Sequence, residues 1–244
     1  MMSGAMALFI GLGPTIVARA ENQVDLALVL AVDASGSVDQ HRFELQKQGY
    51  AAAFRDRRVL NAVRSGLAQA IAVTMFQWTG PRLQFQVVPW TLVKDEQSIG
   101  ALADAIDAVP RRLFGGGTSI SGAIDYARIL LAQNPFVPTR RVIDVSGDGS
   151  NNSGRIVTFA RDEAAADGIG VNGLPILAVE PGLDRYYRDY VIGGPGAFMV
   201  PATSYETFAD AVLKKLITEI AMTGGAATGS PAKMRRNAES TLRR

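Results

Sequence analysis

The stretch that most limits what this chain can fold into is Val24 to Ser37, Val-Asp-Leu-Ala-Leu-Val-Leu-Ala-Val-Asp-Ala-Ser-Gly-Ser. Leu26 to Val32 is an unbroken run of Leu, Ala and Val, the pattern of a strand covered on both faces in a parallel sheet. The run stops at Asp33, and Ser35 and Ser37 follow with Gly36 between them. One carboxylate and two hydroxyls thus stand at alternate positions in a turn beyond a strand's carboxyl end. Open α/β sheets carry their ligand sites there.

Oxygen donors in this pattern suit a hard cation. Mg²⁺ takes about six oxygens at about 2.0–2.1 Å, keeps several waters and needs only one or two carboxylates. Two further donors stand downstream: Thr118 in Gly-Gly-Gly-Thr-Ser, and Asp148 in Val-Ser-Gly-Asp-Gly after another strand-like apolar run. Asp33, Ser35, Ser37, Thr118 and Asp148 form the candidate metal site. Mg²⁺ is the expected ion, and residue types alone do not separate it from Mn²⁺ or Ca²⁺.

At these residues the chain resembles the von Willebrand factor A domain. The metal-ion-dependent adhesion site of that family joins an Asp-x-Ser-x-Ser motif to a distant Thr and a more distant Asp, in the order found here. The resemblance runs from about Asp25 to Ala221. It is closest to an uncharacterised bacterial family of secreted A-like domains with Ser-Gly-Asp-Gly-x-Asn-Asn after the fourth strand, here Ser146 to Asn152. It implies that Ser35 and Ser37 ligate the metal directly, Thr118 directly or through water, and that Asp33 and Asp148 hold waters and balance charge. A remaining position would accept an Asp or Glu carboxylate from a partner protein. No activity comes with the resemblance.

Cysteine is absent and His41 is the sole histidine. Disulfides, thiolate metal sites and cysteine nucleophiles are therefore excluded, and zinc, which prefers nitrogen and sulfur, is disfavoured. A metal-dependent hydrolase acting on a phosphorylated or acyl substrate is the alternative function. It needs a general base, and His41 falls in the first expected helix, a turn or more from Ser37. Neither a Gly-x-Ser-x-Gly elbow nor a Gly-Lys-Ser/Thr phosphate loop occurs, so serine-hydrolase and nucleotide readings lack their key residues. The chain is read as a binding module and not an enzyme.

The sequence pI of about 9.0 belongs to the tail. Lys233, Arg235, Arg236, Arg243 and Arg244 against Glu239 give the segment from Gly224 a net +4. Without that segment and Arg19, the overall +2 becomes about −3. A basic surface for nucleic acid is not supported. Residues 1–20 carry an apolar run from Ala5 to Val17 and end Ala18-Arg19-Ala20, which fits a secretory signal cleaved after Ala20, although no Lys or Arg precedes the run. A retained anchor is the competing reading. The expected organisation is signal peptide 1–20, one A-like domain 21–223 and a disordered basic tail 224–244. The mature chain would have no membrane span and would be periplasmic or secreted.

The remaining pattern predicts a doubly wound α/β domain with a mostly parallel sheet, one antiparallel edge strand and helices on both faces. Helices are expected over Val38–Arg55, Ser98–Val109, Ser121–Gln133, Ile156–Ala166 and from Ser204 or Tyr205 to Met222. Ala70–Trp78 and Leu83–Val93 read as a hairpin, Arg141–Ser146 and Val171–Val179 as strands, and Phe198–Val200 as a last edge strand. Gly115 to Gly117 either cradle an anion or let the backbone approach the metal, and Thr118 is either a ligand or a helix cap. Asn151 and Asn152 either orient groups at the rim or satisfy a tight turn. Trp78 and Trp90 read as core cover. The long loop from Glu180 to Phe198, with its tyrosines, arginines and aspartates, reads as a recognition surface, or else Tyr186 and Tyr190, four apart, pack on one helix face.

Overall fold

A computed structural model describes residues 22–222. The expected leader and basic tail lie outside the described residues. In chain order the elements are β1 (Gln23–Asp33), α1 (Gln40–Arg55), α2 (Arg57–Arg64), β2 (Ile71–Trp78), β3 (Gln84–Val93), α3 (Glu96–Asp107), α4 (Ile120–Ala132), β4 (Val137–Gly147), α5 (Val157–Ala166), β5 (Ile169–Pro175), the short α6 (Leu183–Tyr186) running into a π-helical turn (Tyr187–Val191), and α7 (Phe208–Ala221).

The sheet order is β3-β2-β1-β4-β5. β1 lies at the centre, parallel to β2 on one side and β4 on the other, while β3 is antiparallel to β2. The alternation within β1 explains its all-apolar sequence: Leu26, Leu28, Leu30 and Val32 join the core layer containing α1, α2, α3 and α7. Ala27, Val29 and Ala31 join the opposite layer, with α4, α5 and the π turn. Two helix layers on one central strand leave no solvent face for a polar residue. Because the chain leaves β1 towards β2 and later crosses back to β4, the carboxyl ends of β1 and β4 flank a topological switch point.

Several element boundaries differ from expectation for local reasons. The first helix closes at Arg55 as expected, but a second, unexpected helix follows at once from Arg57. Asp56 terminates α1 and caps α2, its carboxylate accepting from Arg58 N at 2.8 Å. The edge strand expected at Phe198–Val200 is reduced to isolated bridges, Gly173 with Met199 and Ile176 with Ala202. Pro201 has no N–H to extend a ladder. The last helix starts at Phe208 because Thr207 Oγ1 accepts from Ser204 N at 3.1 Å and donates to Ser204 O, a local turn that competes with helix. β5 stops at Pro175, ahead of the expected Val179. Among the described residues no helix is long and apolar enough to cross a membrane.

α3 begins with a reciprocal cap: Asp95 accepts from Ser98 N at 2.8 Å while Ser98 Oγ accepts from Asp95 N at 3.0 Å. Asp95→Ala is expected to cost about 1 kcal/mol, read as a shift in the urea midpoint at unchanged m-value.

One polar cluster lies inside the core between β4 and α7. Lys215, fully buried, places Nζ 2.8 Å from Asp144 Oδ2 and 3.3 Å from Glu219 Oε2. The approach to Asp144 is off the line of a good hydrogen bond, so that contact is an ion pair by distance. Asn172 Nδ2 donates to Glu219 Oε1 and Arg140 Nη2 to Glu219 O at 2.7 Å. Burial pushes the Glu219 carboxyl up against the pull of Lys215.

Candidate metal centre

The site is assembled from the loops leaving β1 and β4 and the loop entering α4. Asp33 ends β1, paired with Trp78 of β2. Its Oδ1 accepts from Ser35 N at 2.7 Å, a tight turn that turns both serine hydroxyls the same way, Oγ to Oγ 3.3 Å. Ser37 Oγ then donates to Asp148 Oδ1 at 2.5 Å, across 111 residues of sequence. The other Asp148 oxygen accepts from Tyr205 Oη at 2.8 Å, and Arg42 Nη1 stands 3.9 Å from it while donating to Ser37 O at 2.6 Å. The carbonyl of Asp33 is held by Gln46 Nε2 at 3.1 Å, and that of Ala34 by Arg111 Nη2 at 3.2 Å.

The glycine loop supplies close backbone approach. Gly36 N donates to Gly116 O at 3.2 Å, and Gly116 has a left-handed φ of +97° that favours glycine. Gly147 is constrained differently: a Cβ there would fall 2.9 Å from Asp33 Oδ2 and 3.1 Å from Tyr187 Oη. Ser119 caps α4, accepting from Gly122 N, so Thr118 is one residue outside the cap. The two asparagines hold the α4 entry: Asn152 Oδ1 accepts from Thr118 N at 2.8 Å, and Asn151 Oδ1 from Ser121 N at 2.9 Å.

Of the five residues singled out in the sequence, Ser37, Thr118 and Asp148 line one cavity of about 330 Å³ together with Gly36, Gly116 and Glu180. Asp33 and Ser35 are buried beneath it, tied in through the Ser35–Ser37–Asp148 contacts. Burial pushes Asp33 up to about 7, with the Asp148 charge adding to the effect. Burial, then Asp148, likewise raise the Tyr205 hydroxyl. Asp33 Oδ2 has no hydrogen-bond partner.

That set fits a hard divalent cation. Every donor is oxygen, and a buried carboxylate held at about 7 is a charge that a cation would compensate. Among the described residues no three His, Cys, Asp or Glu side chains cluster closely enough to hold a metal alone. A cation here would therefore depend on the hydroxyls.

Besides Gln46, four neighbours of the site were not singled out from sequence. Glu180 follows β5, where strand ends collect ligands, and accepts from Ser150 N at 2.7 Å and from Ser150 Oγ at the cavity wall; its position after a strand was a usable signal. Arg42, Arg111 and Tyr205 carry no such signal, because only the packing of α1, the α3–α4 loop and the α7 approach brings them here. His41 is exposed on α1, and the two tryptophans are structural: Trp78 is fully buried, and Trp90 Nε1 donates to Leu130 O.

A five-stranded, mostly parallel sheet in this order with helices on both faces is a von Willebrand factor A-like fold. The chain belongs to the family described as "Protein of unknown function (DUF1194)", which matches residues 23–224. Among solved structures it is similar to the von Willebrand factor type A protein from Catenulispora acidiphila, at TM-score 0.57 and 16% identity over 83% of this chain and 43% of that one. It is also similar to the pilus adhesin SpaC from Lactobacillus rhamnosus GG, at TM-score 0.60 and 14% identity over 81% and 31%. A third likeness is to proximal thread matrix protein 1 from the mussel byssus with a zinc-occupied MIDAS motif, at TM-score 0.55 and 14% identity over 81% and 46%. The chain thus spans less than half the length of each of these three. No curated protein matches the sequence.

Proposed function

We propose that the protein is an exported, metal-dependent protein-binding module, periplasmic or secreted, that captures an Asp or Glu side chain of a partner through Mg²⁺ at Asp33, Ser35, Ser37, Thr118 and Asp148. The observation that carries this reading is the Ser37 Oγ to Asp148 Oδ1 contact of 2.5 Å, which joins the β1 and β4 loops at the floor of a cavity that Thr118 also lines. When bound, the cation supplies Lewis acidity towards an oxygen ligand. The hydroxyls of Ser35, Ser37 and Thr118 would hold it without cancelling its charge, so it keeps its attraction for a further carboxylate. Arg42 and Tyr205 keep Asp148 in place, and Gln46 and Arg111 fix the β1 loop. The zinc-occupied MIDAS of the mussel protein supports a divalent ion in a site of this kind, and the pilus adhesin supports a role in adhesion or scaffolding. The hydrolase alternative gains nothing from the geometry, since the cavity is not lined by His41.

The test is calorimetric titration of the full chain with Mg²⁺, Mn²⁺ and Ca²⁺ beside Asp33→Ala. Saturable binding of at least one ion, lost in the variant, is expected. No saturable binding of any of the three, including in the presence of millimolar acetate to complete the coordination, would reject the metal reading.

A further inference from the structure

The metal cavity does not end at its own rim. Asn152 lines it and also lines a second trough, of about 400 Å³, bounded by Arg155, Ile156, Val157, Tyr186 and Tyr190. The same amide that fixes Thr118 N is therefore the partition between the two. We propose that the two form one bipartite docking face for a single extended segment of a partner protein, which presents an acidic side chain to the cation and an aromatic or large aliphatic side chain to the trough. This rests on the metal reading above and adds the partner's second determinant.

The chemistry of the trough selects that occupant. Tyr190 is 49% exposed and Ile156 61%, large apolar surface left in water beside a polar site. The rings of Tyr186 and Tyr190 sit 5.2 Å apart at 42°, giving a preset aromatic wall, and tyrosines give contact area at little entropic cost because they have few rotatable bonds. Asn151 of the rim loop lines the same trough as both tyrosines, and its side chain is fixed by Ser121 N at 2.9 Å. No carboxylate stands among the trough's lining side chains, and its one charged group is Arg155. That guanidinium is fixed by Asp125 at 2.5 Å and Glu163 at 2.6 Å. An acidic, aromatic-bearing segment would therefore meet a cation at one end and, at the other, a lining without a carboxylate, the nearby Asp125 and Glu163 being paired with Arg155. An extended chain advances about 3.3 Å per residue, so neighbouring pockets are reached by side chains roughly two to four positions apart. A metal-bound carboxylate alone would not distinguish one acidic surface from another, and desolvated aromatic anchors are where interfaces gain their selectivity.

Panning a displayed library of random dodecapeptides on the full chain in Mg²⁺, with elution by EDTA, tests the proposal. The expected sequences pair Asp or Glu with Phe, Tyr, Trp, Leu or Ile within about four positions. Tyr190→Ala and Ile156→Ala, both at exposed positions, should each weaken a recovered synthetic peptide by roughly tenfold with the Mg²⁺ titration unchanged, whereas Tyr190→Phe should keep the affinity. Recovered sequences that share only an acidic residue and bind both alanine variants equally well would overturn the bipartite face and leave the metal reading standing. Absence of EDTA-elutable peptides from a protein that binds Mg²⁺ would overturn it as well. A wild-type chain that binds no divalent ion would overturn both readings together.

Discussion

Lys215→Met is expected to destabilise the protein by about 3–5 kcal/mol, because it strips the cation from a buried cluster and leaves its carboxylates unpaired. Lys215 is fully buried, as are Asp144 and Glu219, so water cannot replace the lost charge. The pair distances of 2.8 and 3.3 Å place both carboxylates within direct Coulomb reach of one ammonium. In a domain of this size the loss corresponds to a fall in Tm of roughly 10 °C or more. Burial and Asp144 already push the Glu219 carboxyl up while Lys215 holds it down. Without Lys215 its folded pKa rises further, so the folded variant takes up a proton that the unfolded chain releases. Its stability should fall as pH rises and recover partly on acidification. The triple variant Asp144→Asn, Lys215→Met, Glu219→Gln should regain most of the loss, since removing all the charges is far less costly than removing one partner. Urea denaturation of the three proteins at pH 5 and pH 8 measures this. A single variant as stable as wild type at pH 8 would show that the cluster contributes nothing.

Asp33→Asn should act in the opposite direction on stability while removing the function. Desolvation raises Asp33 from 3.8 to about 7, so in the metal-free protein the folded state holds a proton that the unfolded chain gives up. Stability therefore falls as pH rises from about 4 to about 7, at up to 1.36 kcal/mol per unit of pKa difference. Asparagine keeps an oxygen for Ser35 N and has no charge to desolvate. In EDTA at pH 8 the variant should be more stable than wild type by about 2 kcal/mol, allowing for the amide hydrogens it introduces. The advantage should shrink as pH drops towards 4. Excess Mg²⁺ should reverse the order, stabilising wild type by mass action and leaving the variant unmoved. Thermal melts across pH with and without the ion separate the two effects; a variant that still gains Tm from Mg²⁺ would remove Asp33 from the ligand set. On the proposed reading, Asp33 would weaken the metal-free fold and serve the site, a common stability–function conflict.

Asp33 on β1 and Asp144 on β4 stand on neighbouring strands but face opposite layers, and that contrast marks how far the sequence could be read. The oxygen chemistry of Asp33, Ser35 and Ser37 was legible because the three are adjacent, and because an all-apolar β1 can only be a central strand. The helices at Gln40–Arg55, Ile120–Ala132 and Val157–Ala166 followed their periodicity closely. α2 was missed because its four buried residues lie within a short, charge-rich stretch, and the strand expected at Phe198–Val200 overlooked Pro201. The Asp144–Lys215–Glu219 cluster left no mark at all. A lysine on an amphipathic helix reads as surface until the partner strand is known to carry an aspartate at the facing position.

What the sequence alone determined is local: a doubly covered central strand, a hydroxyl-rich turn at its end, and a residue inventory without cysteine and with one histidine that leaves only hard oxygen ligands. What the tertiary structure decided is which distant groups share a site. The strand order β3-β2-β1-β4-β5 puts the ends of β1 and β4 side by side, so that Ser37 and Asp148 touch and Glu180, Tyr205, Arg42 and Arg111 close around them. The same packing sets Asn152 between the cavity and the Tyr186–Tyr190 wall. Hydrophobic periodicity specifies which face of an element is buried, but it carries no information on which other element covers that face. The neighbours of a site are settled only when the layers pack.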